Sequence, residues 1–235
     1  MAAPGKCFLV TGPPGVGKTT LVMRVFETLK NANPNFNVQG FYTREVREGT
    51  ERVGFDVVTL HGRTGPLAST KISSMVENFL MVVVVRVKVM RMWCLGGWGL
   101  DRMVGEVQRS APKEGEKEVI PESVRWPMVG RYRVDVASFE SLALPELQVK
   151  EGTDFFIIDE VGKMELYSSS FFPAVLKVLE SNIPVLATIP IPKSGRDIPG
   201  VARLRNHPGA TIFTLSTDNR DAVREQIYSQ VVDTA

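Results

Sequence analysis

The tightest constraint on this 235-residue chain is one octapeptide near its start, Gly12-Pro13-Pro14-Gly15-Val16-Gly17-Lys18-Thr19. It satisfies G-x-x-x-x-G-K-[ST] at every fixed position. The apolar run Cys7-Phe8-Leu9-Val10 ahead of it reads as a short buried strand. Behind it Leu21, Val22, Val25, Phe26 and Leu29 fall on one helical face. Strand, glycine-rich loop and helix, in that order, is the setting in which this pattern grips a phosphate chain.

The residue types suit that task. A helix N-terminus offers free backbone N–H donors and the positive end of its dipole. Gly12, Gly15 and Gly17 let the backbone curl so that successive N–H groups point inward, and they keep Cβ atoms away from the phosphates. Lys18 then reaches the β- and γ-phosphates as a compact cation, and the Thr19 hydroxyl sits on Mg²⁺. Residues 12–19 are therefore read as nucleotide-binding.

A second constellation answers the first. Phe155-Phe156-Ile157-Ile158-Asp159-Glu160 is a continuous apolar run closing on two acids. Such a run is typical of a central parallel strand. Asp159 is placed to hold Mg²⁺ from the side opposite Thr19. Glu160, one residue on at the strand tip, can orient or deprotonate an attacking water. Lys163, in the Gly162-Lys163-Met164-Glu165 segment, reads as a solvated lysine ahead of the alternative, a lysine that senses phosphate charge.

Elsewhere the chain alternates strands and helices, which predicts an α/β fold. Residues 38–46 and 53–60 read as strands joined by the polar, glycine-centred turn 47–51, a β-hairpin. Residues 61–70 read as loop. After residue 128 the pattern gives a strand at 131–136, then a short helix capped by Ser138 and ending near Pro145. Next come the acidic-tipped strand and a helix from Ser168-Ser169-Ser170 with Phe171, Val175, Val178 and Leu179 on one face. Strands at 185–189 and 211–215 follow, with a Pro/Gly-rich loop (190–200) and a short helix (201–206) between them. A last helix, capped by Thr217 or Asp218, carries Val223, Ile227 and Val231. The expected architecture is a central, mostly parallel sheet flanked by helices, with ligand at the carboxyl ends of the strands.

Residues 71–128 interrupt this order. They hold all three tryptophans, six of the nine methionines, and 9 Lys/Arg against 7 Asp/Glu. Residues 81–89 alternate like a strand, but the whole reads as a surface insertion in one domain spanning 1–235. The chain outside it carries 19 charges of each sign, so no basic face announces nucleic acid. With two cysteines (Cys7 and Cys94), an N-terminus running straight into a strand, and no apolar run able to span a bilayer, a cytoplasmic protein with no membrane partner is expected, a monomer.

The chain also resembles a known family. The octapeptide, Gly40-Phe41-Tyr42-Thr43 with Glu45-Val46-Arg47, Gly54-Phe55-Asp56, Val134-Asp135 with Ser138-Phe139-Glu140, residues 158–165, and Thr188-Ile189-Pro190 look like the cancer-related nucleoside-triphosphatases and their thermophile relatives. The match runs in order over about 6–70 and 129–232. The resemblance implies a P-loop fold and Mg²⁺-dependent release of phosphate from ATP, GTP and other nucleoside triphosphates. It places the nucleotide contacts on residues 12–19 and on the strand end, namely Phe155, Phe156, Ile157, Ile158, Asp159, Glu160, Val161 and Gly162. Glu160 and Lys18 would be catalytic, and Thr19 and Asp159 metal-binding. Two departures stand out. The family has a short connection where 71–128 stands. It also has Arg before the Val-Gly at 129–130, where this chain has Met128, with Arg125 and Arg131 as the nearest substitutes.

For the transition-state arginine the sequence offers Arg44, Arg47, Arg196, Arg203 and Arg205, with Arg47 matching the family motif. Asn219-Arg220 is the candidate purine contact. The leading function is nucleoside-triphosphate hydrolysis. A P-loop nucleoside or small-molecule kinase is the alternative, since residues 190–206 could serve as its lid. A nucleotide-dependent adaptor working through 71–128 is a third reading.

Overall fold

The computed structural model describes residues 6–71, 126–193 and 195–233. Among them lie nine strands in one sheet and five α-helices. The strands are β1 (Cys7–Thr11), β2 (Val38–Glu48), β3 (Glu51–Thr59), β4 (Thr64–Ser69), β5 (Met128–Val129), β6 (Tyr132–Val134), β7 (Phe155–Ile158), β8 (Val185–Ile189) and β9 (Ala210–Thr214). The helices are α1 (Lys18–Ala32), α2 (Val136–Glu146), α3 (Phe171–Glu180), α4 (Pro199–Arg205) and α5 (Arg220–Val232). The strand order is β5-β6-β4-β3-β2-β7-β8-β1-β9.

The sheet is mixed, which corrects the expectation of a mostly parallel one. The four pairings from β2 to β9 are parallel. The four from β2 out to β5 are antiparallel. The physical cause is connection length. The hairpin turn between β2 and β3, and the short return into β4, can only reverse the chain, whereas parallel neighbours need a helical crossover.

Period-2 alternation sorts the apolar residues into two cores. Leu9, Phe41, Phe156 and Ile158 face one side of the sheet with Phe139 of α2 and Phe171, Val175 and Val178 of α3. Phe8, Val10, Phe155 and Ile157 face the other with Leu21, Val22 and Val25 of α1 and Val223 and Ile227 of α5. Strands buried on both faces read as continuous apolar runs, as β1, β7 and β8 do.

Several expectations needed correction in detail. Residues 64–69, read as loop, form β4. The cap of α2 is Asp135, whose Oδ1 accepts from the Ser138 N–H at 2.9 Å, not Ser138 itself. Helix α2 ends at Glu146, beside the Pro145 at which it was expected to stop. Asn219, not Thr217 or Asp218, precedes α5. The predicted strand at 81–89, and nearly all of the 71–128 insertion, lie outside the described residues.

Candidate active site

Parallel strands send their carboxyl ends to one edge, and four loops meet there: those after β1, β7, β8 and β9. The loop after β1 holds the octapeptide. Gly15 (φ 76°) and Gly17 (φ 98°) take left-handed backbone that only glycine adopts without strain, and Gly17 opens α1. Gly12 is required for a different reason. A Cβ there would stand 2.7 Å from the Leu215 carbonyl oxygen, so any side chain would push the loop off the sheet. The Lys18 ammonium folds back on its own loop, donating to the carbonyls of Gly12 (3.1 Å) and Pro13 (3.4 Å).

Asp159 extends the line of β7 and is 1 % exposed. Register explains its partners. Ile158 pairs with Phe41 of β2 and Ala187 of β8, so Thr188, the next residue of β8, and Thr43, two residues on along β2, come to its carboxylate. The Thr188 hydroxyl donates to Oδ1 at 2.6 Å, and the Thr43 N–H and hydroxyl approach Oδ2 at 3.5 Å. Burial pushes the Asp159 carboxyl above its ordinary range. Hydrogen bonds from Thr188, Thr19 and Thr43, and the charge of Lys18, pull the other way. Lys18, Thr19 and Asp159, read from segments 140 residues apart, thus converge. The hydroxyl and carboxylate are hard oxygen donors of the type Mg²⁺ takes while keeping waters and phosphate oxygens in its remaining positions.

Glu160 is half-buried beside this group. Desolvation and the neighbouring Asp159 raise its proton affinity, and Lys18 opposes them. Its carboxylate lies over Gly162, where a Cβ would stand 2.7 Å from Glu160 Oε1 and 3.1 Å from Glu165 Oε2. Glu165, 4 % exposed in a 3-10 turn (Glu165–Tyr167), accepts from the Gly162 N–H at 3.1 Å. Its burial, reinforced by Glu160, pushes its carboxyl up to about 8. This third acid was missed by sequence reasoning, as were Thr43 and Thr188. The signal was present, because Glu165 closes the segment that carried the resemblance.

The other predicted residues sort themselves by contact. Phe155, Phe156, Ile157, Ile158 and Val161 are fully buried in the two cores, so what they contribute to the edge is position. Pro13, Pro14, Val16 and Gly17 stay in the loop, and Arg220 Nε donates to the Val16 carbonyl at 2.8 Å, tying α5 to it. A cleft of about 240 Å³ opens there, lined by Gly15, Gly17, Thr20, Arg24, Arg220, Arg224 and Asp221, which pairs with Arg24 (4.0 Å) and Arg224 (3.3 Å). Asn219 is occupied with the backbone of Ser216 and Thr214. Arg47 is held near the hairpin tip by Glu45 (2.7 Å) and the Thr50 carbonyl. Arg44 pairs with Asp56, and Arg131 with Glu51 and the Arg52 carbonyl. Arg203 is exposed on α4. Arg205, by contrast, reaches the strand ends: it donates to Thr11 Oγ1 (3.3 Å) and the Pro190 carbonyl (2.9 Å) while pairing with Asp197. Arg196 and Glu160 line one cavity.

Comparison with known proteins places this geometry. A family model described as NTPase matches residues 7–92 and 109–228, passing over 93–108 inside the insertion. A bovine protein named cancer-related nucleoside-triphosphatase homolog is 37 % identical over 230 residues, covering 94 % of each chain. The Thermotoga maritima nucleoside-triphosphatase THEP1 is 32 % identical over 222 residues, covering 94 % of this chain and 92 % of its own. The solution structure of a human cancer-related nucleoside triphosphatase superposes with a TM-score of 0.66 at 34 % identity, over 98 % of this chain and 99 % of that one. The crystal structure of Aquifex aeolicus THEP1 gives 0.63 at 29 %, over 96 % and 98 %. This chain belongs to the NTPase family that includes the cancer-related nucleoside-triphosphatases and THEP1.

Proposed function

We propose that this chain is a Mg²⁺-dependent nucleoside-triphosphate phosphohydrolase, turning NTP and water into NDP and phosphate, with broad base tolerance that includes ATP and GTP. The observation that carries the reading is the meeting of Lys18, Thr19, Asp159 and Glu160 at one edge of the sheet. It acts as a single P-loop domain with the 71–128 stretch as an insertion, and as a cytoplasmic monomer without nucleic-acid or membrane partners.

The triphosphate lies along residues 12–19, taking the N–H groups of the loop and the first turn of α1 as donors. Lys18 exchanges its two carbonyl contacts for β/γ-phosphate oxygens, which neutralises charge that grows in the transition state. Thr19 and Asp159 would hold Mg²⁺, which supplies further charge neutralisation at the same oxygens when bound. Glu160, rigidly placed by the strand behind it and by Gly162 below it, orients water in line with the leaving group and takes its proton. The ribose and base extend over the Arg24, Arg220 and Arg224 cleft, where guanidinium planes stack on any base.

The test is Glu160→Gln, assayed by phosphate release from an ATP, GTP, CTP and UTP panel with and without Mg²⁺. Nucleotide affinity should hold within about twofold while turnover falls roughly 10²–10⁴-fold. Full turnover in the variant would remove Glu160 from the reaction, and phosphate release unaffected by chelation would remove the metal.

A further inference from the structure

A cavity of about 280 Å³ opens on the hairpin side of Glu160, away from the glycine-rich loop. None of residues 12–19 lines it. Its floor is apolar, made by Phe55 and Leu67 of the antiparallel half of the sheet and by Met164. Its rim carries Lys163, Lys193 and Arg196, all exposed. Among the described residues, none of these three cations has a carboxylate within ion-pair distance. The cations of the neighbouring hairpin do, as in Arg44–Asp56, Arg47–Glu45 and Arg52–Glu45. Asp197 also lines the cavity, but its carboxylate is taken by Arg205 at 2.9 Å. The deepest acid, Glu165, is pushed up to about 8 by burial, so at neutral pH it adds little negative charge to the wall.

An apolar floor under three unpaired cations selects an occupant with a hydrophobic body and an anionic head. The volume sits just below the roughly 300–1,000 Å³ usual for drug-sized ligands, so that occupant is small. We propose that this cavity is a second ligand site, taking a small organic anion with an apolar body, and that its occupation halts hydrolysis by displacing water from Glu160. The inhibition half rests on the hydrolase reading above. Glu160 is the wall shared by the two sites, so a body packed on Phe55 and Met164 excludes solvent from the face of the carboxylate that water must approach. Residues 12–19 and Asp159 do not line the cavity, so the phosphate-loop contacts are left in place.

The test uses 3-phenylpropionate, which joins a ring to a carboxylate and carries no phosphate for the loop to hold. Calorimetry without nucleotide should show saturable binding at about 1 mM or tighter. Inorganic phosphate and 3-phenylpropanol, each with half of the chemistry, should bind at least about tenfold more weakly. At saturating ATP the probe should lower kcat about tenfold or more and leave KM within about twofold, since it acts on the step Glu160 performs. Lys193→Glu, on the exposed rim, should weaken the probe about fivefold or more while basal hydrolysis stays unchanged, and Phe55→Ala should weaken it similarly from the floor. Absence of saturable binding, binding indifferent to both variants, or inhibition relieved by raising ATP would each overturn the site. A chain that binds the probe but hydrolyses no nucleoside triphosphate would instead refute the hydrolase reading and leave the site standing.

Discussion

The two halves of the sheet are held in different ways. From β2 to β9 the strands are parallel, and β1, β7 and β8 show no exposed residue along their lengths. Helices cover both faces, and the register brings β1, β8 and β9 to end level with one another. From β3 to β5 the strands are antiparallel and shorter toward the edge, ending in two residues. That half has one packed face, built on Val57, Leu67 and Val134, and a wet rim laced with ion pairs. The difference teaches where function can be placed. The groups that must stay fixed relative to one another, Lys18, Thr19, Asp159 and Glu160, hang from the rigid half, and the softer half contributes walls such as Phe55 and Leu67.

The join between the halves should carry the largest stability effect. Phe41 of β2 is fully buried and meets Phe139 edge-on at 5.7 Å and Phe171 at 6.0 Å. Phe41→Ala removes both ring contacts and leaves a cavity, which should cost about 3–5 kcal/mol by urea unfolding. That is a large share of the roughly 5–15 kcal/mol a domain possesses. A loss below about 1 kcal/mol would mean that the halves are not joined through this cluster.

Lys18→Ala separates function from fold within the parallel half. Its side chain hydrogen-bonds only the carbonyls of its own loop, and its charge offsets Asp159 and Glu160, so melting should fall only slightly. Its charge on the β/γ oxygens would be lost, lowering kcat/KM roughly 10³-fold, about 4 kcal/mol. Circular dichroism melts beside phosphate-release kinetics check both. A variant that melts early would make the lysine a structural element of the edge.

A subtler probe sits under the catalytic acids. The Glu165 carboxyl is raised from 4.5 to about 8 in the fold, first by burial and then by Glu160. Between those values the unfolded chain has released a proton that the folded chain keeps. Stability should therefore be full below about pH 5, fall as pH rises toward 8, and level off above it. Glu165→Gln cannot titrate, so urea unfolding at pH 5, 6.5 and 8 should show a flatter dependence than the parent protein. An unchanged slope would move the responsible group elsewhere.

Much of this division was legible in the sequence, and unevenly so. Buried parallel strands announce themselves as apolar runs, and the octapeptide and the Asp159-Glu160 tip needed no coordinates to be paired. Strand β4 was hidden because Gly65 and Pro66 signal loop. Gly65 is small because Leu142 and Ser138 press on it, with a Cβ placed 2.8 Å from Leu142 Cδ1. Pro66 is tolerated opposite Asp56, where the register shifts at a bulge and the ladder needs no N–H. Both reasons are tertiary. The same holds for Asp135, which caps the helix directly after the strand ends at Val134, and for Arg47, whose motif includes Glu45 but does not say that the two side chains close on each other.

The smallest expected effect tests the other side of the comparison. Arg44 and Asp56 pair at 3.0 Å across β2 and β3, with side chains 53 % and 22 % exposed. Solvent screens such a pair, and ordering two mobile side chains offsets part of the attraction. A double-mutant cycle with Arg44→Ala and Asp56→Ala should return a coupling of about 0.5 kcal/mol, shrinking further in 1 M salt. The hairpin would then be held by burial of Val57 and Leu67 against α2, and its ion pairs would serve register and solubility instead. A coupling above about 2 kcal/mol, insensitive to salt, would mean that the rim is as dry and as rigid as the parallel edge. In that case the contrast between the halves could no longer explain why the reactive groups hang from only one of them.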